Sequence, residues 1–339
     1  MKETGIGIIG YGYWGPNLLR NFFMTEGCRV VMVADSRQAR LDSLQKLYPS
    51  LITTTDPLAL IHHPAVEAVV IATPVATHFA FAQAALQQGR HVLIEKPMTA
   101  SVEEGKKLVE LSLAKNLRLM VDHTFLYTGA VRKMKELVVS GETGRLNYYD
   151  STRINLGIFQ PDVNVVWDLA PHDISILYHL TAERPVAVSA TGISHLKNGI
   201  ENMAYVTLHF QSNMIAHFTC SWSSPVKIRR ILLGGDKKMI LFDDMDITEK
   251  IRVYDTGYTS ASTDEEKRNL LVDYRTGDVH IPRLELNEAL TGVAADFIHS
   301  IHSGKEPLSG WQIGLDVVKV LEAAQASLQQ NGAAVRIHS

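Results

Sequence analysis

The 339-residue chain is long enough for two domains of ordinary size, and with 46% hydrophobic and 20% charged residues it has the composition of a soluble globular protein. Its net charge of -3 and its lack of basic runs exclude an electrostatic reason for binding nucleic acid. No apolar stretch approaches the length of a membrane span and no signal peptide is recognisable, so we expect a cytoplasmic protein that does not associate with membranes.

The opening stretch, residues 5–35, is predicted to form a strand, a glycine-rich turn, a helix and a second strand. The turn, Gly10-Tyr-Gly-Tyr-Trp-Gly15, has the spacing G-x-G-x-x-G of a dinucleotide-binding loop. In such a loop Gly10 makes the tight turn, Gly12 lets the backbone approach a pyrophosphate, and Gly15 lets the helix pack closely on the sheet. The phosphates would face the N-terminus of that helix, which favours anions. An ordinary glycine turn is the alternative.

The second strand of this stretch ends at Asp35, twenty positions after Gly15. An acidic side chain there can accept hydrogen bonds from the adenosine ribose hydroxyls and repels a 2'-phosphate, which favours NAD over NADP. Ser36 and Arg37 follow directly and could hold such a phosphate. NADP therefore stays possible as the alternative cofactor.

The chain up to residue 122 keeps alternating strand and helix patterns, which predicts a Rossmann-type, doubly wound parallel sheet in a first domain, residues 1–122. Helices are predicted after Trp14 and at residues 37–48, 76–88 and 101–115, with further strands at 67–72, 91–95 and 118–122. Ligands bind at the carboxyl ends of such strands. Three strand ends are therefore of interest: Thr73-Pro74, Glu95-Lys96-Pro97 and Asp122-His123.

Lys96 directly follows a predicted strand and stands between an acid and a proline, which restricts it. It could simply pair with Glu95 or neutralise a group of carbonyls. Alternatively, it is a cation held beside a nicotinamide that donates a hydrogen bond to the substrate oxygen on which negative charge develops. Position alone leaves both roles open. The Lys96-Pro97 bond is a candidate cis peptide, because a cis proline fixes a tight turn.

From about residue 123 the pattern changes to a helix at 130–140 and then a series of strands. The strands are predicted at residues 145–153, 185–193, 203–210, 214–222, 228–233, 239–242 and 250–254, with turns at Asn198-Gly199, Ser212-Asn213 and Gly234-Gly235. This predicts a second domain, residues 123–339, of α+β type with a large, mostly antiparallel open sheet and helices on one face.

The uncovered face of this open sheet is expected to carry apolar side chains, among them Tyr205, His209, Phe218 and Trp222. Such a face would leave apolar area in water unless it were covered. We therefore expect a homo-oligomer, a dimer or a tetramer, assembled through the sheet.

A second informative stretch runs from Trp167 to Ile174, where Asp168 and His172 are four residues apart and would share one face of a helix. Pro171 places the pair in the first turns. A histidine there can take a proton at neutral pH, and a carboxylate can orient its ring. The alternative is that Asp168 caps the helix and His172 is an interior histidine.

Metal binding is not predicted, because no Cys or His cluster completes a set around Asp168 and His172. The two cysteines, Cys28 and Cys220, fit no metal or redox spacing and are expected to be reduced structural thiols. The rest of the chain is predicted as a polar loop at 263–275, a helix at 283–303, a connector at 304–309 and a final amphipathic helix at 312–329 that packs back on the first domain.

Three motifs in this order and spacing, Gly10-Tyr-Gly-Tyr-Trp-Gly-Pro-Asn17, Glu95-Lys-Pro97 and Asp168-x-x-x-His172, resemble the glucose-fructose oxidoreductase / inositol dehydrogenase (Gfo/Idh/MocA) family. The resemblance covers nearly the whole chain, including the helical ending after Asn287. It implies an NAD(P)-dependent oxidoreductase in which Lys96, Asp168 and His172 form the catalytic group. His172 would remove the proton from a sugar hydroxyl, Lys96 would steady the alkoxide, Asp168 would orient and charge the pair, and hydride would pass to the nicotinamide.

The resemblance is strongest to members that act on nucleotide-linked sugars, often at C3. It implies substrate contacts at His123, Tyr127, Arg153 and Trp167, for each of which a packing role is the alternative. His123-Thr124-Phe125 departs from the commoner Arg-containing version, which leaves the identity of the sugar open. The predicted cofactor-binding residues are Gly10, Gly12, Tyr13, Trp14, Gly15, Asp35, Ser36, Arg37, Thr73, Pro74, His78, Glu95, Lys96 and Pro97.

Two other classes of protein compete with the enzyme. A dinucleotide-binding regulator without turnover need not retain Lys96 together with Asp168 and His172, and a scaffold with a vestigial cofactor fold would not need the glycines with Asp35. Because the chain has all of them, the sequence favours an NAD(P)-dependent sugar dehydrogenase or ketoreductase with a small sugar or sugar-nucleotide substrate.

Overall fold

The structure is a computed structural model that describes residues 3–197, 199–260 and 272–337. Contacts divide the chain into two units. The first comprises Met1–Tyr127 with Asn287–Lys319, and the second comprises Thr128–Leu286 with Val320–Ser339. Among the described helices, none combines the length and apolar character that a membrane span requires.

The first unit contains a parallel sheet of six described strands, which confirms the predicted Rossmann-type fold. Their order is β3-β2-β1-β4-β5-β6, so the sheet extends in both directions from the strand that opens the chain. The strands β1, β4 and β6 are buried along their whole length, as expected for strands covered on both faces. The strand bounds are β1 (Thr4–Ile9), β2 (Cys28–Ala34), β3 (Ile52–Thr54), β4 (Ala68–Ile71), β5 (His91–Glu95) and β6 (Leu119–Asp122).

The helices of the first unit begin where local chemistry satisfies their amide groups. Asp56 accepts a hydrogen bond from the backbone N of Leu58, and Ser101 accepts one from that of Glu104. The helix bounds are α1 (Gly15–Met24), α2 (Gln38–Leu47), α3 (Pro57–His62), α4 (His78–Gln87) and α5 (Val102–Ala114). The predicted pattern missed β3 and α3, which are too short to show a period.

The second unit contains a sheet of nine described strands in the order β14-β13-β12-β11-β7-β10-β9-β8-β15. Only β7 and β10 pair in parallel among the pairings described, so the sheet is mostly antiparallel, as predicted. The bounds are β7 (Leu146–Leu156), β8 (Ala187–Ile193), β9 (Met203–His209), β10 (Ile215–Ser221), β11 (Ser223–Gly235), β12 (Met239–Asp243), β13 (Ile251–Ser260), β14 (Val272–His280) and β15 (Val335–Arg336).

The two faces of this sheet differ in burial. Helix α6 (Gly129–Val139) precedes β7, and α7 (Val165–Leu180) contacts β7, β9 and β10. Phe218 and Trp222 are only 1% exposed, so the prediction that they lie on the uncovered face is wrong. Phe218 and the buried Ala216 are two residues apart on β10, so their side chains point to the same face of the sheet. Tyr205 on β9 points to the other face and is 44% exposed.

The last part of the chain forms α8 (Ala289–Ser303) and α9 (Trp311–Gln329). Both helices end where predicted and α9 begins one residue early, but α8 begins six residues later than the predicted residue 283. Gly304, in the left-handed conformation with φ 74°, ends α8. The polar loop predicted at 263–275 is wrong for residues 272–275, which belong to β14. Its remaining residues up to 271 and the turn residue Asn198 lie outside the described part of the chain.

Candidate functional site

The glycine-rich turn between β1 and α1 is built around two close backbone contacts. Gly10 has φ +99°, and a Cβ there would lie 2.3 Å from the carbonyl oxygen of Ala72. A Cβ on Gly15 would lie 2.4 Å from the carbonyl oxygen of Gly10. At Gly12 the nearest heavy atom would be 3.4 Å away, on the side chain of Arg40. Gly10 and Gly15 therefore fix the turn, and Gly12 leaves room for a ligand beside it.

The N-terminus of α1 fits an anion. Trp14 is its cap residue and makes no side-chain hydrogen bond to the helix, and the first turn contains no acidic residue. The side chains of Tyr13 and Trp14 are 84% and 40% exposed and contact each other edge to face. Pro16 has no N–H and the backbone N of Asn17 donates to the carbonyl of Trp14 at 2.9 Å, so the turn offers a phosphate the amides before Pro16 and the positive end of the helix dipole.

Asp35 lies at the end of β2 and is 8% exposed. Its Oδ2 accepts a hydrogen bond from the backbone N of Tyr11 at 2.8 Å, and its Oδ1 accepts one from that of Arg37 at 2.9 Å. Burial alone would raise the pKa of Asp35, but these two hydrogen bonds and the guanidinium groups of Arg40 and Arg37 lower it below its usual value. Asp35 is therefore an ionised acceptor with lone pairs left for ribose hydroxyls.

A cavity of about 350 Å³ lies at these strand ends within the first unit. Arg40 lines it, and its Nη1 lies 3.5 Å from Asp35 Oδ2 and donates to the carbonyl of Tyr11 at 3.2 Å. The sequence analysis missed Arg40, although its place five residues after Asp35 was a usable signal. The predicted residues that line the cavity are Gly10, Gly12, Asp35, Ser36, Arg37, Thr73 and Pro74.

His78, a predicted cofactor contact, links two strand ends. Its Nδ1 lies 2.9 Å from the carbonyl oxygen of Pro97, and its Nε2 lies 2.8 Å from that of Thr73. Burial lowers the pKa of His78, which is 1% exposed. The ring thereby holds the end of β4 against Pro97, whose bond to Lys96 is cis, as predicted. Contact between His78 and a cofactor stays a prediction.

Two buried carboxyl groups, those of Glu95 and Asp122, lie at the strand ends near Lys96 in the first unit. The backbone N of Lys96 donates to Glu95 Oε2 at 3.2 Å, and Glu95 pairs in register with Asp122 on β6. Burial, with the charge of Asp122 added to it, raises the pKa of Glu95 well above its usual value. The sequence analysis noted Asp122 only as a strand end, because strand order does not follow from the sequence pattern.

His123 and Tyr127 follow β6 and were predicted to contact substrate. His123 is fully buried, and its ring nitrogens form no hydrogen bond with any described group. Burial and the charge of Lys96 lower the pKa of His123 to about 3. The Tyr127 hydroxyl donates to Asp296 Oδ2 at 2.7 Å and lies 3.1 Å from Ser309 Oγ. Tyr127 is thus part of an internal network, and its contact with substrate stays a prediction.

In the second unit, α7 carries the predicted Asp168 and His172 one turn apart. The prediction that Pro171 lies in the first turn is wrong, because α7 begins at Val165 and Pro171 lies inside it. The cap of α7 is Asn164, whose side chain accepts from the backbone N of Val166 and of Trp167, so capping does not occupy Asp168. The indole Nε1 of Trp222 donates to Asp168 Oδ2 at 3.0 Å. Both members of the pair and Trp167 are partly exposed, unlike the apolar residues that follow on α7. The pair is therefore held by its neighbours yet accessible to a ligand.

Arg153, another predicted substrate contact, forms a buried bidentate ion pair. Its Nε and Nη2 donate to the two carboxylate oxygens of Asp173 at 2.8 and 2.6 Å. Arg153 is 4% exposed and Asp173 is 2% exposed. The backbone carbonyl of Asp173 also accepts from the Tyr149 hydroxyl at 2.9 Å. Contact between Arg153 and substrate stays a prediction, and its guanidinium fork is already used.

Among the described residues, no group of three or more His, Cys, Asp or Glu is placed to hold a metal ion. The thiols of Cys28 and Cys220 are buried and form no disulfide.

Comparison with known proteins matches both units to one family. Residues 4–123 match the model described as "Oxidoreductase family, NAD-binding Rossmann fold" (GFO_IDH_MocA), and residues 131–241 match "GFO/IDH/MocA C-terminal domain". The chain is 26% identical over 272 residues to UDP-N-acetylglucosamine 3-dehydrogenase of Acidithiobacillus ferrooxidans, which is 78% of this chain and 81% of that protein. The solved structure of that enzyme has a TM-score of 0.78 at 24% identity and covers 97% of this chain and 100% of its own. Myo-inositol 2-dehydrogenase of Thermotoga maritima is 23% identical over 340 residues, 96% of each chain.

Proposed function

The chain belongs to the GFO/IDH/MocA family and is an NAD(P)-dependent oxidoreductase of sugar or polyol hydroxyls, and on this premise we propose that its substrate is a nucleotide-linked sugar that reacts at C3. The similarity to a UDP-N-acetylglucosamine 3-dehydrogenase over 78% of the chain is the observation that supports this substrate. A free polyol is the competing substrate, because the chain is similar to an inositol dehydrogenase over 96% of its length.

We assign the acid–base chemistry to three residues. His172 takes the proton of the substrate hydroxyl during oxidation and returns it during reduction. Lys96 donates a hydrogen bond to the oxygen that becomes an alkoxide, and Asp168, fixed by the Trp222 indole, stabilises the imidazolium that forms. The nicotinamide, when bound, supplies the hydride acceptor or donor.

The cofactor is held by the residues of the first unit that fit a dinucleotide. The glycine turn and the uncapped N-terminus of α1 suit the pyrophosphate, and the Asp35 carboxylate suits the adenosine ribose. Asp35 supports NAD as the preferred cofactor, because a 2'-phosphate would face its negative charge. Arg40 and Arg37 beside it support weaker use of NADP.

We also propose that the uncovered face of the second unit's sheet joins copies of this chain into a dimer or tetramer. Tyr205, Ile215 and Leu232 are 44%, 47% and 40% exposed, and strand register places them on one face. Tyr205 stacks on His217 within that face at 6.2 Å between ring centroids. Leu232→Arg should lower the mass measured by light scattering, whereas Val139→Arg on α6 should not; an unchanged mass in Leu232→Arg would exclude this face.

The test of function is cofactor absorbance at 340 nm, with NAD and NADP, against free sugars, inositols and UDP- or dTDP-linked sugars. Lys96→Ala and His172→Ala should each lower turnover on the order of 100-fold or more. The matched controls are Lys107→Ala and His299→Ala, which remove the same side-chain types from exposed positions of the first unit. Turnover that survives both site substitutions would reject the assigned residues, and tight dinucleotide binding without any turnover would favour a regulator.

A further inference from the structure

Two buried carboxyl groups lie side by side at the end of the first unit's sheet. Glu95 ends β5, Asp122 ends β6, and the two residues are register partners across the parallel strands. Glu95 is 8% exposed and Asp122 is 2% exposed. Register partners on neighbouring parallel strands project their side chains to the same face, so the two carboxyl groups face each other at the sheet edge. Two ionised carboxylates so placed repel each other, and neither has a proton to donate to the other.

The hydrogen bonds around the pair leave one buried carboxylate oxygen without a described donor, a position that a proton on the partner carboxyl would satisfy. Thr124 Oγ1 donates to Asp122 Oδ1 at 2.6 Å, and the backbone N of Lys96 donates to Glu95 Oε2 at 3.2 Å. Asp122 Oδ2 is buried, yet no N–H or O–H group in the described part of the chain donates to it. Leaving a buried carboxylate oxygen without a donor is costly.

We propose that Glu95 and Asp122 share one proton at neutral pH, carried by Glu95 and donated to Asp122 Oδ2, and that this singly charged pair positions the Lys96 ammonium. One negative charge on the pair balances the charge of one ammonium, that of Lys96, which directly follows Glu95 in the chain. A doubly ionised pair would attract the ammonium toward the sheet and away from the substrate. The inference rests on the proposed function only in that Lys96 is the group that meets the substrate.

The electrostatics of the neighbouring groups agree with one shared proton. Burial raises the pKa of Glu95 well above its usual value and also raises that of Asp122, while the charge of Lys96 opposes both shifts. The two imidazoles that face this cluster are His78 on α4 and His123 after β6. Burial, with the charge of Lys96, lowers the pKa of each, to about 3 for His123, so the His123 ring is neutral at pH 7 and contributes no charge to balance the pair.

Infrared spectroscopy of the full-length protein, with and without NAD, tests the shared proton directly. The parent should show the C=O band of a buried protonated carboxyl at pH 7, and Glu95→Gln should abolish that band. Asp296→Asn, which changes a carboxyl of the same unit held by Tyr127, should retain it. A parent without the band at pH 7, or a band that persists in Glu95→Gln, would overturn the proposal.

Turnover as a function of pH tests the positioning role. Glu95→Gln and Asp122→Asn each fix the pair at one negative charge. Because neither variant has a shared proton to lose, kcat should decline less at alkaline pH in both of them than in the parent. The double variant carries no charge there and should have a kcat lower than either single variant on the order of 10-fold, with a smaller change in KM. A uniform loss of kcat at every pH in the single variants would show a merely structural role and overturn the positioning of Lys96.

The two proposals can fail separately. If Lys96→Ala leaves turnover intact, the assigned role of Lys96 is wrong, whereas the infrared band still decides whether the carboxyl pair holds a proton.

Discussion

His123 gives the sharpest stability prediction, because it is a fully buried histidine whose ring nitrogens bond to no described group. Burial lowers its pKa to about 3 in the folded chain, whereas an unfolded histidine titrates near ~6.5. The unfolded chain therefore takes up a proton below pH ~6.5 that the folded chain refuses. The contribution of His123 to stability is fully present above that value and is lost as the pH falls toward 3.

The size of this effect follows from the two pKa values. Between pH 7 and pH 5 the unfolded state gains about 2 kcal/mol from protonating His123, at a slope that approaches ~1.4 kcal/mol per pH unit. His123→Phe keeps an aromatic ring, leaves no polar atom without a partner and removes the titration. The variant should therefore lose about 2 kcal/mol less stability than the parent over the same pH interval.

Urea unfolding at pH 7 and pH 5, followed by fluorescence and circular dichroism, measures this difference. Comparing parent with variant cancels the acid sensitivity that His78, His91 and His179 contribute, since burial lowers the pKa of each of them as well. His299→Phe, at an exposed position, is the control and should leave the parent's pH dependence unchanged. Equal losses of stability in the parent and His123→Phe would refute the reasoning.

Two further predictions concern the backbone turn and the buried ion pair. Gly10→Ala places a Cβ 2.3 Å from the Ala72 carbonyl oxygen at a residue with φ +99°. Fluorescence titration should therefore show NAD binding weakened at least about 10-fold. The control Gly89→Ala, at a residue with positive φ but open space around it, should bind NAD normally. Arg153→Met leaves the Asp173 carboxylate buried without its partner and should cost about 3–5 kcal/mol, seen as a lower melting temperature. Arg153→Met with Asp173→Leu should recover much of that loss; no recovery would show that the pair itself is not the cause.

The first unit was predictable because its signals are local. The glycine spacing, the acid after β2 and the proline after Lys96 all concern neighbouring residues, and the structure has the turn, the strand end and the cis peptide that they predict. The family resemblance used the glycine turn and Glu95-Lys-Pro97 together with one local motif of the second unit, Asp168-x-x-x-His172.

The errors arose where long-range packing decides. Phe218 and Trp222 look like surface aromatics of an open sheet until the parity of β10 is known, and Trp222 then proves to donate to Asp168. Arg153 looks available to a ligand because its partner Asp173 is twenty residues away, on a helix. Such pairings depend on strand order and helix docking, which periodicity does not encode.

The buried carboxylates of this chain are stabilised in different ways, and the differences indicate which of them respond to pH. Asp35 accepts hydrogen bonds from two backbone amides that, against the effect of burial, lower its pKa below the usual value, and Asp173 is paired with the bidentate guanidinium of Arg153. Among the described donors, Glu95 and Asp122 have the backbone amide of Lys96 and the hydroxyl of Thr124, too little to stabilise two charges. A shared proton completes that set. The part of the alkaline decline in kcat that Glu95→Gln and Asp122→Asn remove should therefore originate at this pair rather than at the cofactor ribose.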